Sequence, residues 1–497
     1  MGRFAKRPYS LTGDRKEIMS DNTMRVINPA TGENIEEIPI SSREEVDAAV
    51  ERARDGFREW QGFAGLDRAE VLHEISARMR EHADELAEIM TLEGGKPFIE
   101  NRDEVTWTAA CFDYYGEIAR DSVGYLPAPI EPQQLALVVK EPVGTVACIV
   151  PWNYPLLLAA WKVAPALAAG NAVLLKPSEE TPLATRRLAE LMHELPDGLL
   201  QILYGAGEVG SMLVRHPGVD MVAFTGSQET GRKIGIAAAE RLIPANLELG
   251  GKDPFIICDD VDVEVAAQGA VWAACLNAGQ VCTSSERFYV MSDVADDFVE
   301  ASREFVESLN IGDPMDRSTD IGPMINATGR EKVERHVGEA IDDGATLVAG
   351  GERYGERGFF YKPTVLTGVT SSMTVMRDET FGPVVPVVEV GSLDEAIEQA
   401  NSVPYGLGAN VYTQDFEKML KCMRELRAGT VWINDPLTDN DAAPFGGQKG
   451  SGIGRELGRE GLEAFQESKH VHIDPRVEKK EWWYPYGKDD DPAQRTM

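Results

Sequence analysis

Between residues 144 and 258, short apolar segments rich in β-branched residues alternate with longer segments of helical periodicity. This alternation predicts a parallel sheet covered by helices on both faces, and therefore an α/β fold. Ligands of such sheets bind beyond the C-terminal ends of the strands. The predicted strands are 145–150, 172–176, 199–204, 221–224 and 255–258, and the predicted helices are 156–169, 182–195, 208–215 and 229–239.

The flanking segments extend this pattern. A capping box at Ser42 and Glu45 predicts a first helix over 41–57, and two more helices are predicted over 67–90 and 104–120. Residues 135–140 lie between prolines and acids, which predicts an exposed or edge strand. A chain of 497 residues is expected to form two or three domains. Beyond residue 282 a second α/β unit is predicted, with helices at 294–309, 330–343, 393–401 and 416–427 and a strand at 430–433.

The net charge limits the partners. The chain has 82 acidic and 49 basic side chains, a formal net charge of −33, and the acids are spread along its whole length. Such a field repels nucleic acid and anionic membranes, so neither is an expected partner. No apolar segment reaches the ~18 residues that a membrane span requires, and no secretory signal is predicted. We therefore expect a cytoplasmic protein, and hypothesise that it is salt-adapted and loses structure or activity in dilute buffer; an ordinary acidic enzyme is the alternative.

Six cysteines lie scattered along the chain without a CxxC pair, and the seven histidines show no metal-ligand spacing. This pattern predicts a reducing compartment, no disulfide framework and no metal site. Cys282 differs from the others because small and polar residues surround it, in the segment AGQVCTS (278–284) that follows a predicted helix over 263–277. A thiol there could act as a nucleophile if its surroundings lower its pKa. A buried structural cysteine is the alternative interpretation.

Three strand ends carry residues that could bind a dinucleotide. GAGEVG (205–210) is a literal GxGxxG motif, but the acid expected about 20 residues later is not clearly present. Ser227 caps a predicted helix, whose N-terminus could hold a pyrophosphate. Lys176 and Glu179 could bind the hydroxyls of a ribose, and a carboxylate there favours NAD over NADP because it repels a 2′-phosphate. Asn153, at another strand end, could donate to an oxyanion.

Taken together, these segments resemble the NAD(P)-dependent aldehyde dehydrogenase superfamily from about residue 25 to 475. Seven motifs in the family's order carry the resemblance, which makes Cys282 the expected nucleophile. The motifs are PWNYP (151–155), KPSE (176–179), FTGS (224–227), LELGGK (247–252), GQVC (279–282), ETFGP (379–383) and PFGGQKGSGIGRE (444–456).

The resemblance implies a role for each matching residue. Cys282 would attack the aldehyde carbon, Asn153 and the Cys282 backbone N–H would hold the oxyanion, and hydride would pass to the nicotinamide. Glu248 would then activate the water that hydrolyses the thioester. The resemblance implies that Lys176 belongs to both the catalytic residues and the cofactor-binding residues. The implied cofactor contacts are Trp152, Lys176, Glu179, Gly226, Ser227, Glu379 and Phe381.

The resemblance also implies an architecture and an assembly. A Rossmann-like NAD-binding domain would use residues 21–119 and 143–250, and an α/β catalytic domain would use 251–447. A small β oligomerisation arm, 120–142 and 448–480, would extend the sheet of a neighbouring subunit in a dimer or tetramer. Residues 1–20 and 481–497 would be terminal extensions. An arm of this kind would give the edge strand at 135–140 a partner.

The substrate is less constrained. The resemblance implies a channel lined by Tyr154, Trp161 and Phe445, and such rings fit lactaldehyde, a semialdehyde or betaine aldehyde, whose quaternary ammonium aromatic faces attract. Arg287 is a candidate clamp for a substrate carboxylate. Two alternatives remain open: a coenzyme-A-acylating relative, which would usually lack the acid at Glu248, and a non-catalytic protein that kept the fold.

Overall fold

The computed structural model of the protein describes residues 22–121, 124–480 and 482–484. The predicted extension 1–20 lies outside these ranges, as does most of the predicted extension 481–497. In the described part of the chain, no helix is both long and apolar enough to cross a bilayer.

The chain alternates strands and helices, as the sequence predicts. The strands are β1 (Thr23–Ile27), β2 (Asn34–Pro39), β3 (Gly124–Tyr125), β4 (Leu135–Pro142), β5 (Thr145–Ile149), β6 (Ala172–Lys176), β7 (Leu200–Ile202), β8 (Met221–Gly226), β9 (Ala245–Leu249), β10 (Asp253–Ile257), β11 (Ser285–Met291), β12 (Thr346–Ala349), β13 (Thr364–Thr367), β14 (Val384–Val390), β15 (Gly408–Tyr412), β16 (Thr430–Ile433), β17 (Gly452–Ile453) and β18 (Gln466–Ile473). The helices are α1 (Arg43–Trp60), α2 (Gly65–Glu81), α3 (Ala83–Gly94), α4 (Phe98–Ile118), α5 (Pro155–Ala169), α6 (Leu183–Glu190), α7 (Gly207–Arg215), α8 (Gln228–Arg241), α9 (Val263–Cys275), α10 (Ala295–Ser308), α11 (Ala327–Asp342), α12 (Thr374–Arg377), α13 (Leu393–Asn401), α14 (Phe416–Glu425) and α15 (Gly458–Ala464).

Two large sheets organise the molecule. The first has the strand order β17-β9-β8-β5-β6-β7, and all of its strands are parallel except β17, which runs antiparallel to β9. The second has the order β12-β13-β14-β11-β10-β15-β16, and only its β12–β13 pair is antiparallel. Helix α5 is buried along its whole length, which explains its nearly continuous apolar sequence.

A smaller antiparallel sheet, β18-β4-β3, contains the predicted edge strand. Its strand β18 begins at Gln466, whereas the preceding β17 pairs with β9 in the first large sheet. The predicted arm segment 448–480 is therefore divided between two sheets. Leu135, Tyr125 and Ile473 are exposed apolar side chains on this small sheet.

Some predicted helix ends need correction. The capping box at Ser42 and Glu45 is confirmed. The helix predicted over 67–90 is two helices, because the chain leaves helical geometry at His82, where φ is −103° and ψ is 20°. The residue before α6 does not cap that helix with its side chain. The buried carboxylate of Glu93 does so from a distant helix, accepting the N–H groups of Leu183 and Ala184 at 2.7 and 2.8 Å, and a sequence pattern cannot show a cap of this kind.

Candidate active site

Segments from both large sheets meet at one site, where Asn153 contacts Gln280 and Glu379 contacts Gly251. The C-terminal ends of β5, β6, β8 and β9 open on one side of it, because these strands are parallel. On the other side lie the segments that precede β11 and β14 in the second sheet. Cys282 stands just before β11 and Glu379 just before β14, so the fold brings together motifs that lie far apart in sequence.

A cavity of about 680 Å³ lies at the strand ends of the first sheet. Five of the predicted cofactor residues line it: Trp152, Lys176, Glu179, Gly226 and Ser227. Gly207 and Gly210 of the GxGxxG segment line the same cavity.

The donors and acceptors around this cavity fit a dinucleotide. The hydroxyl of Ser227 accepts the N–H of Thr230 at 3.3 Å and caps α8, whose positive N-terminus opens into the cavity. The ammonium of Lys176 lies 3.8 Å from the carboxylate of Glu179, at the end of β6. A helix N-terminus suits a phosphate, and a carboxylate beside a lysine suits ribose hydroxyls, so the residues present match the predicted group.

Glu379 and Phe381 do not line this cavity but lie next to it. The ring of Phe381 packs edge-on against Trp152, with 5.6 Å between the centroids. A carboxylate oxygen of Glu379 accepts the N–H of Gly251 at 3.2 Å. A Cβ on Gly250 would overlap the Glu379 carboxylate, so a side chain there would displace that carboxylate. Phe381 therefore borders the cavity, and Glu379 lies close enough to Cys282 for its charge to raise the pKa of that thiol.

An unusual backbone turn presents Cys282. Asn277 and Ala278 both adopt left-handed conformations, with φ of 50° and 53°. The buried side chain of Gln280 holds the turn, donating to the carbonyl of Asn277 at 2.9 Å and accepting the N–H of Ile325 at 2.8 Å. Cys282 is half-buried, whereas the other five cysteines are all buried. It is thus the cysteine that a substrate reaches most readily.

The amide of Asn153 lies against this turn. Its Nδ2 donates to the carbonyl of Gln280 at 3.0 Å. A buried ion pair between Lys96 and Glu104 holds the Asn153 backbone: Lys96 Nζ donates to the Asn153 carbonyl at 3.2 Å, and Glu104 accepts the N–H of Leu156 at 3.0 Å. This pair was not predicted, because Lys96 lies in the loop between α3 and α4 and Glu104 stands among other charged residues of α4.

The surroundings do not ionise the Cys282 thiol. Burial raises its pKa, and nearby carboxylates, with Asp439 first among them, raise it further. The lowered pKa on which the nucleophile interpretation depended is therefore not found for Cys282, and a thiol there would have to lose its proton as it reacts. The charge of Glu248 also acts on this sulfur and raises its pKa.

Glu248 lies in β9, opposite Gly452 of β17. Its carboxylate is buried and accepts the N–H of Gly447 at 3.3 Å. Burial, and then the charge of Glu456, raise the pKa of Glu248 well above its ordinary range, while the charge of Lys162 opposes this shift. A carboxyl whose pKa is raised is a stronger base once it is ionised, which suits the activation of water.

The charges of Lys162 and Glu456 act on the Glu248 carboxylate, and neither residue was predicted from the sequence as part of the site. Both are fully buried, and they form an ion pair at 2.6 Å. Lys162 Nζ also donates to the hydroxyl of Thr225 at 2.5 Å, and Thr225 belongs to β8, next to the strand of Glu248. A single lysine inside the apolar helix α5 was a usable signal, because a buried charge requires a partner.

The three predicted channel aromatics lie in one buried cluster that Cys282 borders. The ring centroids of Trp161 and Phe445 are 4.7 Å apart. The ammonium of Lys96 lies 3.7 Å from the centroid of the Tyr154 ring. Arg287 is not a substrate clamp. It is buried, and it donates to the carbonyls of Lys252, Gln399 and Ala400 at 2.8, 3.1 and 2.9 Å.

Comparisons with known proteins agree with this geometry. The model of the aldehyde dehydrogenase family matches residues 18–471. Aminoaldehyde dehydrogenase 1 of Malus domestica is 40% identical over 490 residues, which are 95% of this chain and 97% of that protein. Betaine aldehyde dehydrogenase 1 of Oryza sativa subsp. japonica is 40% identical over 496 residues, covering 97% and 98%.

A solved structure, betaine aldehyde dehydrogenase of Staphylococcus aureus in complex with NAD+, matches with a TM-score of 0.91 and 39% identity, over 93% of this chain and 94% of that one. The α/β fold and the use of NAD expected from the sequence are confirmed, and the coenzyme-A-acylating and non-catalytic alternatives are not favoured. The chain belongs to the aldehyde dehydrogenase family and oxidises aldehydes with NAD.

Proposed function

We propose that Cys282 is the nucleophile and Glu248 the deacylating base in this oxidation. The observation that carries this proposal is the bond from Asn153 Nδ2 to the Gln280 carbonyl, because it places an amide donor against the turn that presents the sulfur. The Cys282 sulfur would bond to the aldehyde carbon while its proton passes to solvent water. Asn153 Nδ2 and the Cys282 backbone N–H would hold the oxygen that becomes negative.

The second half of the reaction returns the enzyme to its starting state. Bound NAD supplies the acceptor for the hydride that leaves the tetrahedral carbon, and the carbon on Cys282 becomes a thioester. Glu248 would take a proton from a water molecule as the water oxygen attacks the thioester. The C–S bond would then break, its electron pair staying on sulfur, and the proton on Glu248 would pass to the Cys282 sulfur as the acid is released. Lys176 and Glu179 would hold the adenine ribose, Trp152, Gly226 and Ser227 the pyrophosphate region, and Glu379 with Phe381 the nicotinamide ribose.

For the substrate, we propose a small aldehyde with a cationic group, such as an aminoaldehyde or betaine aldehyde. Several relatives carry these names. In this chain the support is Asp439, an exposed side chain whose charge raises the pKa of both the Cys282 thiol and the Tyr154 hydroxyl. Desolvation by neighbouring protein atoms, and then the charge of Asp441, raise the pKa of Asp439 to about 7, and a cation beside it would favour the ionised form. Arg287 is hydrogen-bonded to backbone carbonyls in the core, so it is not available to bind the carboxylate of an anionic semialdehyde.

The charge of Asp439 can be tested with two aldehydes of the same shape. Betaine aldehyde and 3,3-dimethylbutanal differ by a quaternary nitrogen in place of a quaternary carbon. We expect Asp439→Asn to lower kcat/KM for betaine aldehyde about fivefold, the size typical of a partly solvated ion pair, and to leave the neutral aldehyde unchanged. Asp435→Asn, in the same loop, is the matched control. Equal changes for both aldehydes would refute a role in cation selection.

For assembly, we propose that the protein is a homo-oligomer, a dimer or a tetramer, which forms through the arm sheet, β18-β4-β3. We also propose that it is salt-adapted and cytoplasmic. Exposed apolar side chains on that sheet and the net charge of −33 support this. Sedimentation velocity is expected to show an oligomer in concentrated salt and dissociation or unfolding in dilute buffer. A stable monomer in both would contradict the assembly, and an unchanged oligomer would contradict the salt adaptation. Cell fractionation would test the proposed cytoplasmic location, and recovery of the protein in another fraction would contradict it.

We also propose the division into domains that the sequence predicts, with 21–119 and 143–250 as the cofactor domain and 251–447 as the catalytic domain. The first large sheet and the second large sheet support this division, since their strands fall on either side of residue 250 apart from β17. Separate expression of 251–447 and a thermal unfolding scan would test it.

A further inference from the structure

The segment that presents Glu379 and Phe381 has no regular structure of its own. It lies between α12 and β14, and Phe381 adopts a left-handed conformation with φ of 58°. A bulky non-glycine residue rarely stays in that region unless its surroundings impose it. Something outside the segment must therefore hold the backbone at residues 380 and 381.

A single carboxylate does this. Glu286 accepts the N–H of Thr380 at 2.7 Å with one oxygen and the N–H of Phe381 at 2.7 Å with the other. The Lys252 ammonium forms an ion pair with the same carboxylate and donates to the Thr380 hydroxyl at 3.2 Å. His336 contacts that hydroxyl from a further helix, at 3.2 Å.

The group is buried and its charges are paired with each other. Glu286, Lys252 and Thr380 expose 3%, 1% and 1% of their surface. Buried charges of this kind are tolerated only where every lone pair and proton finds a partner. A carboxylate is required here, because a neutral amide has one acceptor oxygen and would direct its NH₂ at a backbone N–H or at the ammonium.

The ion pair of Glu286 and Lys252 also links the segment that follows Cys282 to the segment that follows Glu248. Glu286 lies at the start of β11, close after Cys282, and Lys252 follows the glycines that come after Glu248. The carboxylate of Glu379 sits on those glycines, and Phe381 packs on Trp152 at the cofactor cavity. A shift of the backbone at 380–381 would move both side chains away from the bound dinucleotide.

We propose that Glu286, through its ion pair with Lys252, is a positioning residue that fixes residues 379–381 for the cofactor before NAD binds. It touches neither substrate nor cofactor and acts through the backbone of Thr380 and Phe381. This role rests on the cofactor contacts proposed for Glu379 and Phe381, and is independent of which aldehyde the enzyme prefers and of the roles proposed for Cys282 and Glu248.

The first test uses the unsubstituted protein without NAD. Hydrogen exchange followed by fragmentation is expected to show slow exchange at the amides of Thr380 and Phe381 already in the apo protein, because both are bonded to a buried carboxylate. Fast exchange at both amides, with slow exchange appearing only after NAD is added, would overturn the proposal.

The second test is Glu286→Gln. We expect the Kd for NAD, measured by quenching of tryptophan fluorescence, to rise about tenfold, the loss typical of hydrogen bonds to a charged group, with faster exchange at residues 380 and 381. With a C1-deuterated aldehyde, a primary isotope effect on kcat should appear or increase. Alkylation of Cys282 by iodoacetamide in the apo protein should keep its rate, since the nucleophile's turn is held by other residues.

Asp260→Asn is the matched control. Asp260 also holds a loop, accepting the N–H of Gln414 at 3.0 Å and the hydroxyl of Thr413 at 2.8 Å, but beyond the C-terminal ends of β10 and β15, whereas Glu286 lies at the N-terminal end of β11 in the same sheet. It should leave the Kd for NAD unchanged. If Glu286→Gln does not fold, Glu286→Gln combined with Lys252→Met removes both charges and leaves none unpaired. A folded variant of either kind whose Kd for NAD stays within about twofold of the original, a change of only ~0.4 kcal/mol, would overturn the proposal.

Discussion

Cys282→Ser is expected to lower aldehyde oxidation by about four orders of magnitude or more, the size of loss seen when a covalent nucleophile is removed. The reason is chemical. A serine hydroxyl at this turn has no base placed to ionise it, and even the thiol has its pKa raised by burial. NAD should still bind, because the cofactor cavity lies at the strand ends of the first sheet and does not include Cys282. NADH formation and fluorescence titration with NAD measure the two properties separately.

Cys275→Ala provides the control for this loss. Cys275 ends helix α9, just before the same turn, and it is buried with its pKa raised to about 12. It should retain most of the activity, with at most a modest loss of stability. If Cys282→Ser continues to make NADH at a comparable rate, Cys282 is not the nucleophile.

Glu248→Gln is expected to give one rapid turnover of NADH and then to stall. Attack and hydride loss need no base at residue 248 once the thiol proton has left, but hydrolysis of the thioester does. Removing a general base typically slows its step by about 10²–10⁴-fold. In the unsubstituted enzyme, deacylation should accelerate as pH rises through the raised pKa of Glu248, because only the ionised form takes a proton from water. Stopped-flow absorbance at the NADH band resolves the burst from the steady rate.

Glu264→Gln, at an exposed position in the first turn of α9, serves as the control and should show unchanged steady turnover. A variant at residue 248 with normal steady turnover and no burst would remove Glu248 as the deacylating base. A steady rate that loses its pH dependence in Glu248→Gln would further assign that dependence to this carboxyl.

Sequence patterns predicted the large elements well, because helix and strand periodicity is a local property. Helix α13 and strand β16 have the predicted bounds. Strand β9, which holds Glu248, was not among the predicted strands, since its charged residue interrupts the apolar run and its burial depends on β17, which is distant in sequence. The break at His82 was missed for a related reason: the apolar periodicity continues across it.

For the site, family motifs identified the residues that surround it, and the fold places them there. The residues that hold them in place were missed. Lys162 with Glu456, Lys96 with Glu104, and Lys252 with Glu286 are all buried ion pairs. Lys162 with Glu456 and Lys252 with Glu286 join segments that only the tertiary structure brings together, so local spacing could not reveal them. Lys96 and Glu104 are eight residues apart, but other charged residues near Glu104 hide the pair. For Lys162, a lone charge inside an apolar helix is the signal that remains in the sequence.

The covalent intermediate itself is the most direct object of measurement. Glu248→Gln, mixed with NAD and an aldehyde and quenched after the burst, should show by intact-protein mass spectrometry a species heavier by the acyl group. Peptide mapping should place that group on Cys282. The same mixture made with the additional substitution Cys282→Ser should show no added mass. An unmodified protein after a full burst of NADH, or an acyl group on another residue, would contradict the account.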